Sequence, residues 1–206
     1  IEAMTLAANA AATPFDEAWA RVIIGDLQLR EGRANEAERS FALADATLPG
    51  DAMVQAAQAR LAIVRGEAAT AETLLRAAVE SRPLPEYATL LGDLLTSQGR
   101  TAEAEQQYAL VRATQQLFVA SGVDTDIELA LFDADHGDAE AAYVAASAAY
   151  ARRPGVYGAD ALAWAAYKSG RLDEAQARIT EALRLGTRDP RMLAHADAIN
   201  AAVRAR

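Results

Sequence analysis

The chain has 206 residues, about a quarter of them alanine, with 6% aromatic residues and no cysteine. Its formal net charge of −9 argues against nucleic acid or an anionic membrane surface as partner, because both need clustered Lys and Arg. Without cysteine there is no disulfide and no thiolate chemistry, and a reducing or an oxidising compartment suits the chain equally.

In chain order, residues 1–14 form an N-terminal segment without the basic n-region of a signal peptide. It starts at Ile1 rather than Met, which points to a processed form or an excised fragment and leaves room for an export signal upstream. No apolar run approaches the ~20 residues that a membrane span requires.

Five helix-turn-helix units follow. The first, 15–50, carries Gly25 in its first helix, a turn at Gly32, and a second helix with Ala37, Phe41 and Ala44 on one face before Pro49 stops it. The second, 51–83, repeats that order with Ala59, Gly66, Ala71, Leu75, Ala78 and Pro83. The third, 84–120, has Gly92, Gly99, Ala104, Tyr108 and Val111; the fourth, 123–154, has Ala130, Gly137, Ala142, Ala146 and Ala149. The fifth, 156–187, has Ala163, Gly170, Ala175, Ile179 and Ala182.

The turn glycines stand 34, 33, 38 and 33 residues apart, a period that marks a stacked repeat. At each, the chain is expected to turn sharply at low steric cost. The small residue seven positions earlier lets the two helices of a unit cross closely. The 38-residue step adds residues to the third unit, read as a longer second helix through Val119 that Ser121-Gly122 ends. Thr125 and Glu128 have the spacing of a capping box. Segment 188–206 reads as a capping helix that starts near Asp189-Pro190 and places Met192, Ala196, Ile199 and Val203 on one face.

On these columns, residues 15–187 resemble the tetratricopeptide-repeat (TPR) proteins. The resemblance implies an all-α fold, a right-handed superhelical solenoid of about five units plus a C-terminal capping helix. One departure is that Trp19 and Trp164 lie outside the family's tryptophan column. The stretch from Leu84 to Gly99, the FDADHGD segment and DALAWAAYKSGRLDEA are similar to a bacterial branch of the family. That implies a bacterial cytoplasm, or export after loss of an upstream signal.

Motifs for chemistry are missing. The chain has no GxxxxGK[ST], GxGxxG or GxSxG. His136 and His195 sit in different units without an HxxxH or HExxH companion. The acidic string Asp133, Asp135, Asp138 and Glu140 misses the spacing of a calcium loop, because Gly137 falls at the fifth place rather than the sixth. No catalytic residue, metal or cofactor is expected, and the chain reads as non-enzymatic.

In the TPR family the first helices line a concave groove, and positions 13, 10, 6 and 3 residues before each turn glycine share one helical stripe. Carried onto this chain, the partner groove takes Trp19, Val22, Asp26 and Arg60 from the first two units and Thr89 and Asp93 from the third. Asp124 comes from the fourth, and Tyr157, Asp160, Trp164 and Tyr167 from the fifth. Trp164 has two readings: an exposed anchor for a partner, or a core residue packed under the terminal helix. Trp19 has a similar ambiguity, since residues 1–13 could fold over it.

A carboxylate clamp is disfavoured, because the stripe holds Arg60 with only Arg30 and Lys168 at its border. A groove apolar at its N-terminal end and acidic in the middle suits a segment carrying apolar side chains with Lys or Arg. The leading expectation is a protein-interaction scaffold for a peptide or protein segment. The alternatives are a non-catalytic arm of a larger enzyme, such as a glycosyltransferase or peptidase, and a self-assembly module, which leaves a homo-oligomer open.

Overall fold

A computed structural model describes residues 1–187 and 189–206; position 188, the first residue of the expected capping segment, lies outside the described residues. The described residues form helices and no strands. In order these are α1 (Glu2–Asn9), α2 (Pro14–Arg30), α3 (Ala34–Thr47), α4 (Ala52–Val64), α5 (Ala68–Ser81) and α6 (Pro85–Ser97). They continue with α7 (Thr101–Ala120), α8 (Asp126–His136), α9 (Ala139–Arg152), α10 (Val156–Lys168), α11 (Leu172–Leu183) and α12 (Pro190–Arg204). The chain divides into two compact units, Ile1–Gln116 and Leu117–Arg206, with the boundary inside α7.

The turns explain the period. After α2, Gly32 takes a left-handed φ of 75°, the Gly32 N–H donates to the Leu29 carbonyl, and the Arg33 N–H reaches back to the Gln28 carbonyl at 2.9 Å. This is a Schellman closure, and glycine occupies the left-handed residue because it has no Cβ to clash. The same backward bond recurs as Glu67 to Ala62, Arg100 to Leu95 and Arg171 to Ala166, around Gly66, Gly99 and Gly170.

The fourth turn departs from the expectation. Gly137 is extended, with φ −130° and ψ −153°. Its lack of a side chain serves proximity instead, since a Cβ there would stand 2.9 Å from the Asp133 carbonyl oxygen. The next helix then starts on a side-chain cap, with Asp138 Oδ1 accepting from the Ala141 N–H at 2.7 Å. The capping box read at Thr125 and Glu128 does not form: Thr125 is the N-cap of α8, yet its hydroxyl makes no cap bond and is buried without a partner. The Asp126 N–H is taken instead by Asp124 Oδ1 at 3.2 Å.

Four of the five repeats pack small against large, and the fourth pairs Ala130 with Ala146 instead. In the first, a Cβ on Gly25 of α2 would lie 2.2 Å from the Phe41 ring of α3, and one on Gly92 of α6 would lie 2.4 Å from the Tyr108 ring of α7. The missing methyl makes room for an aromatic ring sixteen residues later. Where the first helix carries Ala59 or Ala163, the matching position holds Leu75 or Ile179, and all four are buried. Helix α4 is enclosed on several sides, burying Val54, Ala56, Ala57, Ala59 and Leu61, as an interior helix must.

At the start of the first unit, α1 lays Met4 and Ala8 on Ala20 and Ile24 of α2. In the second unit, Ala196 and Ile199 of α12 close a core with Ala159, Ala163, Ala175 and Ile179. The outer surface of α12 carries Asp197 and Arg204, both exposed, so this helix can cover a core without needing another layer.

Candidate partner-binding surfaces

In the first unit, α2 and α4 lie side by side. Asp26 and Arg60 stand one repeat apart, at equivalent positions on the two helices, and join through two bonds: Nε to Oδ1 at 3.0 Å and Nη2 to Oδ2 at 2.8 Å. Burial pushes the Asp26 carboxyl above the usual carboxylate range, and the charge and hydrogen bonds of Arg60 with the charge of Arg30 offset only part of that. The pair fixes α2 against α4 while leaving both groups within reach of solvent.

Trp19 lies two turns before Asp26 on α2 and is 46% exposed, and Phe15, one turn earlier still, is 48% exposed. Residues 1–13 therefore do not fold over Trp19; α1 packs on the Ala20–Ile24 side of α2. Val22 is 2% exposed and belongs to the core around Phe41 and Leu61, which removes it from the surface. The physical reason is that Val22 faces Phe41 of α3 and Val54, Ala57 and Leu61 of α4 rather than the open side. On α6, Thr89 is half-buried and Asp93 is exposed. Asp93 Oδ1 accepts from the Tyr108 hydroxyl at 2.9 Å, and burial pushes that phenol up to about 12.

The second unit is arranged differently. Asp160, expected on the stripe, is 0% exposed, and its Oδ1 accepts from His195 Nδ1 of α12 at 2.8 Å. Arg191 approaches its other oxygen at 3.6 Å. Asp160 therefore holds two helices together and offers a partner nothing. Trp164 is half-buried with its ring parallel to that of His195 (centroids 4.1 Å apart, planes 12° apart) and stacked with Tyr167 at 5.1 Å. Of the two readings of Trp164, packing under the terminal helix describes one side of the ring.

Around the same indole, Nε1 donates to Asp135 Oδ1 of α8 at 3.0 Å, and Lys168 Nζ reaches that same oxygen at 3.1 Å. Tyr157 is 61% exposed at the start of α10. Asp124 precedes α8, and its carboxylate pairs with Arg153 at 3.0 Å. The residues that sequence reasoning left out are Asp135, Arg191 and His195. Their signal was spacing, since Asp135–Lys168 and Asp160–His195 are 33 and 35 residues apart, close to one repeat.

The acidic string near Gly137 is divided among structural roles. Asp138 caps α9, Glu140 pairs with Arg171 at 2.7 Å, and Asp135 serves Trp164 and Lys168. Among the described residues no group of three His, Cys, Asp or Glu side chains is placed to hold a metal ion. No helix of the described residues is long and apolar enough to cross a membrane.

Comparison with known proteins gives the fold. A thermophilic TPR protein in Thermus thermophilus superposes with a TM-score of 0.62 and 19% identity, over 88% of this chain and 98% of that one. A tetratricopeptide repeat protein from Parabacteroides merdae gives 0.57 at 16% identity, over 98% of this chain and 78% of that one. A chain of the APC/C hetero-tetramer Cut9–Hcn1 gives 0.55 at 16% identity, over 91% of this chain and 37% of that one. No family model and no curated protein matches the sequence. The chain has the all-α helical-repeat fold of the TPR proteins.

Proposed function

We propose that this TPR fold is a non-catalytic scaffold that holds a peptide or protein segment against its first-helix faces. Trp19 carries the reading. A tryptophan 46% exposed on the open side of a first helix, near an equally exposed Phe15, leaves a large amphipathic surface to solvent. Asp26, Arg60, Thr89 and Asp93 continue that face along α2, α4 and α6. Tyr157, Trp164 and Tyr167 provide the aromatic part in the second unit, with Asp124 at its margin. The partner this chemistry fits is a segment with apolar side chains for the aromatics and Lys or Arg for the carboxylates, in keeping with a net charge of −9.

A photo-crosslinking residue at position 19 tests the reading against one at position 43, where Leu43 is 50% exposed on the second helix α3. The expected result is a defined partner crosslinked from 19 and not from 43, with Trp19→Ala weakening its binding by about 2 kcal/mol. Crosslinks from 43 alone, or equally from both, would sink the first-helix face as the binding surface.

A further inference from the structure

Lys168 is poised like a bound ligand. It is the last residue of α10, one turn beyond Trp164, and its Nζ stands 5.3 Å from the centre of the Trp164 ring and 3.1 Å from Asp135 Oδ1. An aromatic ring and a carboxylate around an ammonium make up a cation-binding site, and here the protein's own side chain fills it. The notch is built rather than incidental. Trp164 is held on one side by His195, whose ring nitrogen is bonded to the buried Asp160, and its indole N–H fixes Asp135 at 3.0 Å. Ring and carboxylate would therefore stay in place without the lysine.

The lysine's contacts are open to solvent. Its side chain is 34% exposed, that of Asp135 is 40% exposed, and a long flexible stem can swing into water. Asp135 Oδ1 accepts from both donors, so loss of the lysine leaves that oxygen still bonded to Trp164.

We propose that Asp135 and Trp164 form a recognition notch for the lysine side chain of a partner polypeptide, which Lys168 occupies in cis and a partner must displace. The notch rests on the scaffold reading, since it names the chemistry that one first-helix face would recognise. It also makes Lys168 a brake on affinity. An exposed ion pair and a cation–π contact together correspond to about a tenfold competition.

The probe is N-acetyl-lysine amide, with N-acetyl-norleucine amide as the isostere without the charge. The chain has two tryptophans, so the Trp164 indole N–H signal in NMR reports the notch and that of Trp19 is the internal control. Lys168→Met keeps the apolar stem and empties the notch. The expected result is a saturable shift of the Trp164 signal by the lysine amide at about tenfold lower concentration in Lys168→Met than in the unaltered protein. Asp135→Asn should remove the response, and the norleucine amide should produce none. Equal midpoints with and without Lys168, or an equal response to the norleucine amide, would overturn the proposal. A partner crosslinked at position 19 whose affinity ignores Lys168→Met would leave the scaffold standing and remove the notch alone.

Discussion

The pair Gly25 and Phe41 shows how single residues set the distance between helices. The Phe41 ring is 1% exposed and occupies the volume where a Cβ on residue 25 would go, with three ring carbons between 2.2 and 2.8 Å of it. Alanine is the better helix former by about 1 kcal/mol, yet it cannot be placed there unless the ring or the backbone moves. Gly25→Ala is therefore expected to destabilise by about 1–3 kcal/mol, the range for overpacking a core. Adding Phe41→Leu recreates the pairing of Ala59 with Leu75 and should recover part of that loss. Chemical denaturation of the two single variants and the double variant measures the coupling; additive costs would show that the ring and the glycine do not compete for the same space.

At the scale of elements, α12 shows how a helix is selected for one seat. Its apolar residues Met192, Ala196 and Ile199 are buried, but apolar burial alone tolerates small rotations. The Asp160–His195 bond does not, because it joins two particular atoms in a region from which water is excluded. His195→Ala would remove the 2.8 Å partner of the buried Asp160 carboxylate, which keeps Arg191 at 3.6 Å. Leaving a buried acceptor without its hydrogen-bond partner costs about 1–3 kcal/mol. The expected signature is faster amide exchange throughout α12 with that of α2 unchanged. Unchanged exchange in α12 would mean that its apolar contacts alone hold it.

Over the whole molecule, arginine–carboxylate staples bridge successive repeats within each unit. Arg65 holds Glu38, Arg100 holds Glu72 at 2.6 Å, and Arg171 holds Glu140 at 2.7 Å. Hydrogen bonds from Arg65 hold the Glu38 carboxyl below the usual glutamate range, and those from Arg100 do the same for Glu72 and Glu103. A carboxyl depressed in the folded state binds its proton more weakly there than in the unfolded chain. Its contribution is present above about pH 4.3 and is lost as pH falls through the depressed folded value. Asp26 works in the opposite sense, since a raised folded value favours the fold at lower pH and that contribution fades as pH rises through it. Thermal unfolding between pH 3 and 6 is expected to show falling stability towards acid. The slope should flatten in Glu72→Gln/Glu103→Gln and in high salt, which screens exposed pairs. An unaltered slope in the double variant would assign the acid sensitivity to other groups.

How much is legible in the chain follows from which interactions are local. Glycine after a helix, alanine five residues later and proline at helix ends act through the backbone of their own turn, so the period, the all-α class and the place of the extra turn in α7 can be read directly. Gly137 resembles the other turn glycines because a left-handed residue and a residue that must avoid a carbonyl oxygen both require glycine. The stripe is readable as an angle around each helix, but not as exposure. Val22 and Asp160 share that angle with Trp19 and Tyr157, and only the neighbouring helices decide that the first two are buried.

The sequence by itself determined the repeat, its register and the residue types facing each neighbour, because these depend on contacts within about one turn or one unit. The tertiary structure alone decided that Asp160 pairs with His195, that Lys168 shares Asp135 with Trp164, and that Trp19 stays in solvent. Each of those outcomes depends on side chains from separate helices meeting within a few ångströms, a distance that the packing of the helices sets and spacing along the chain does not.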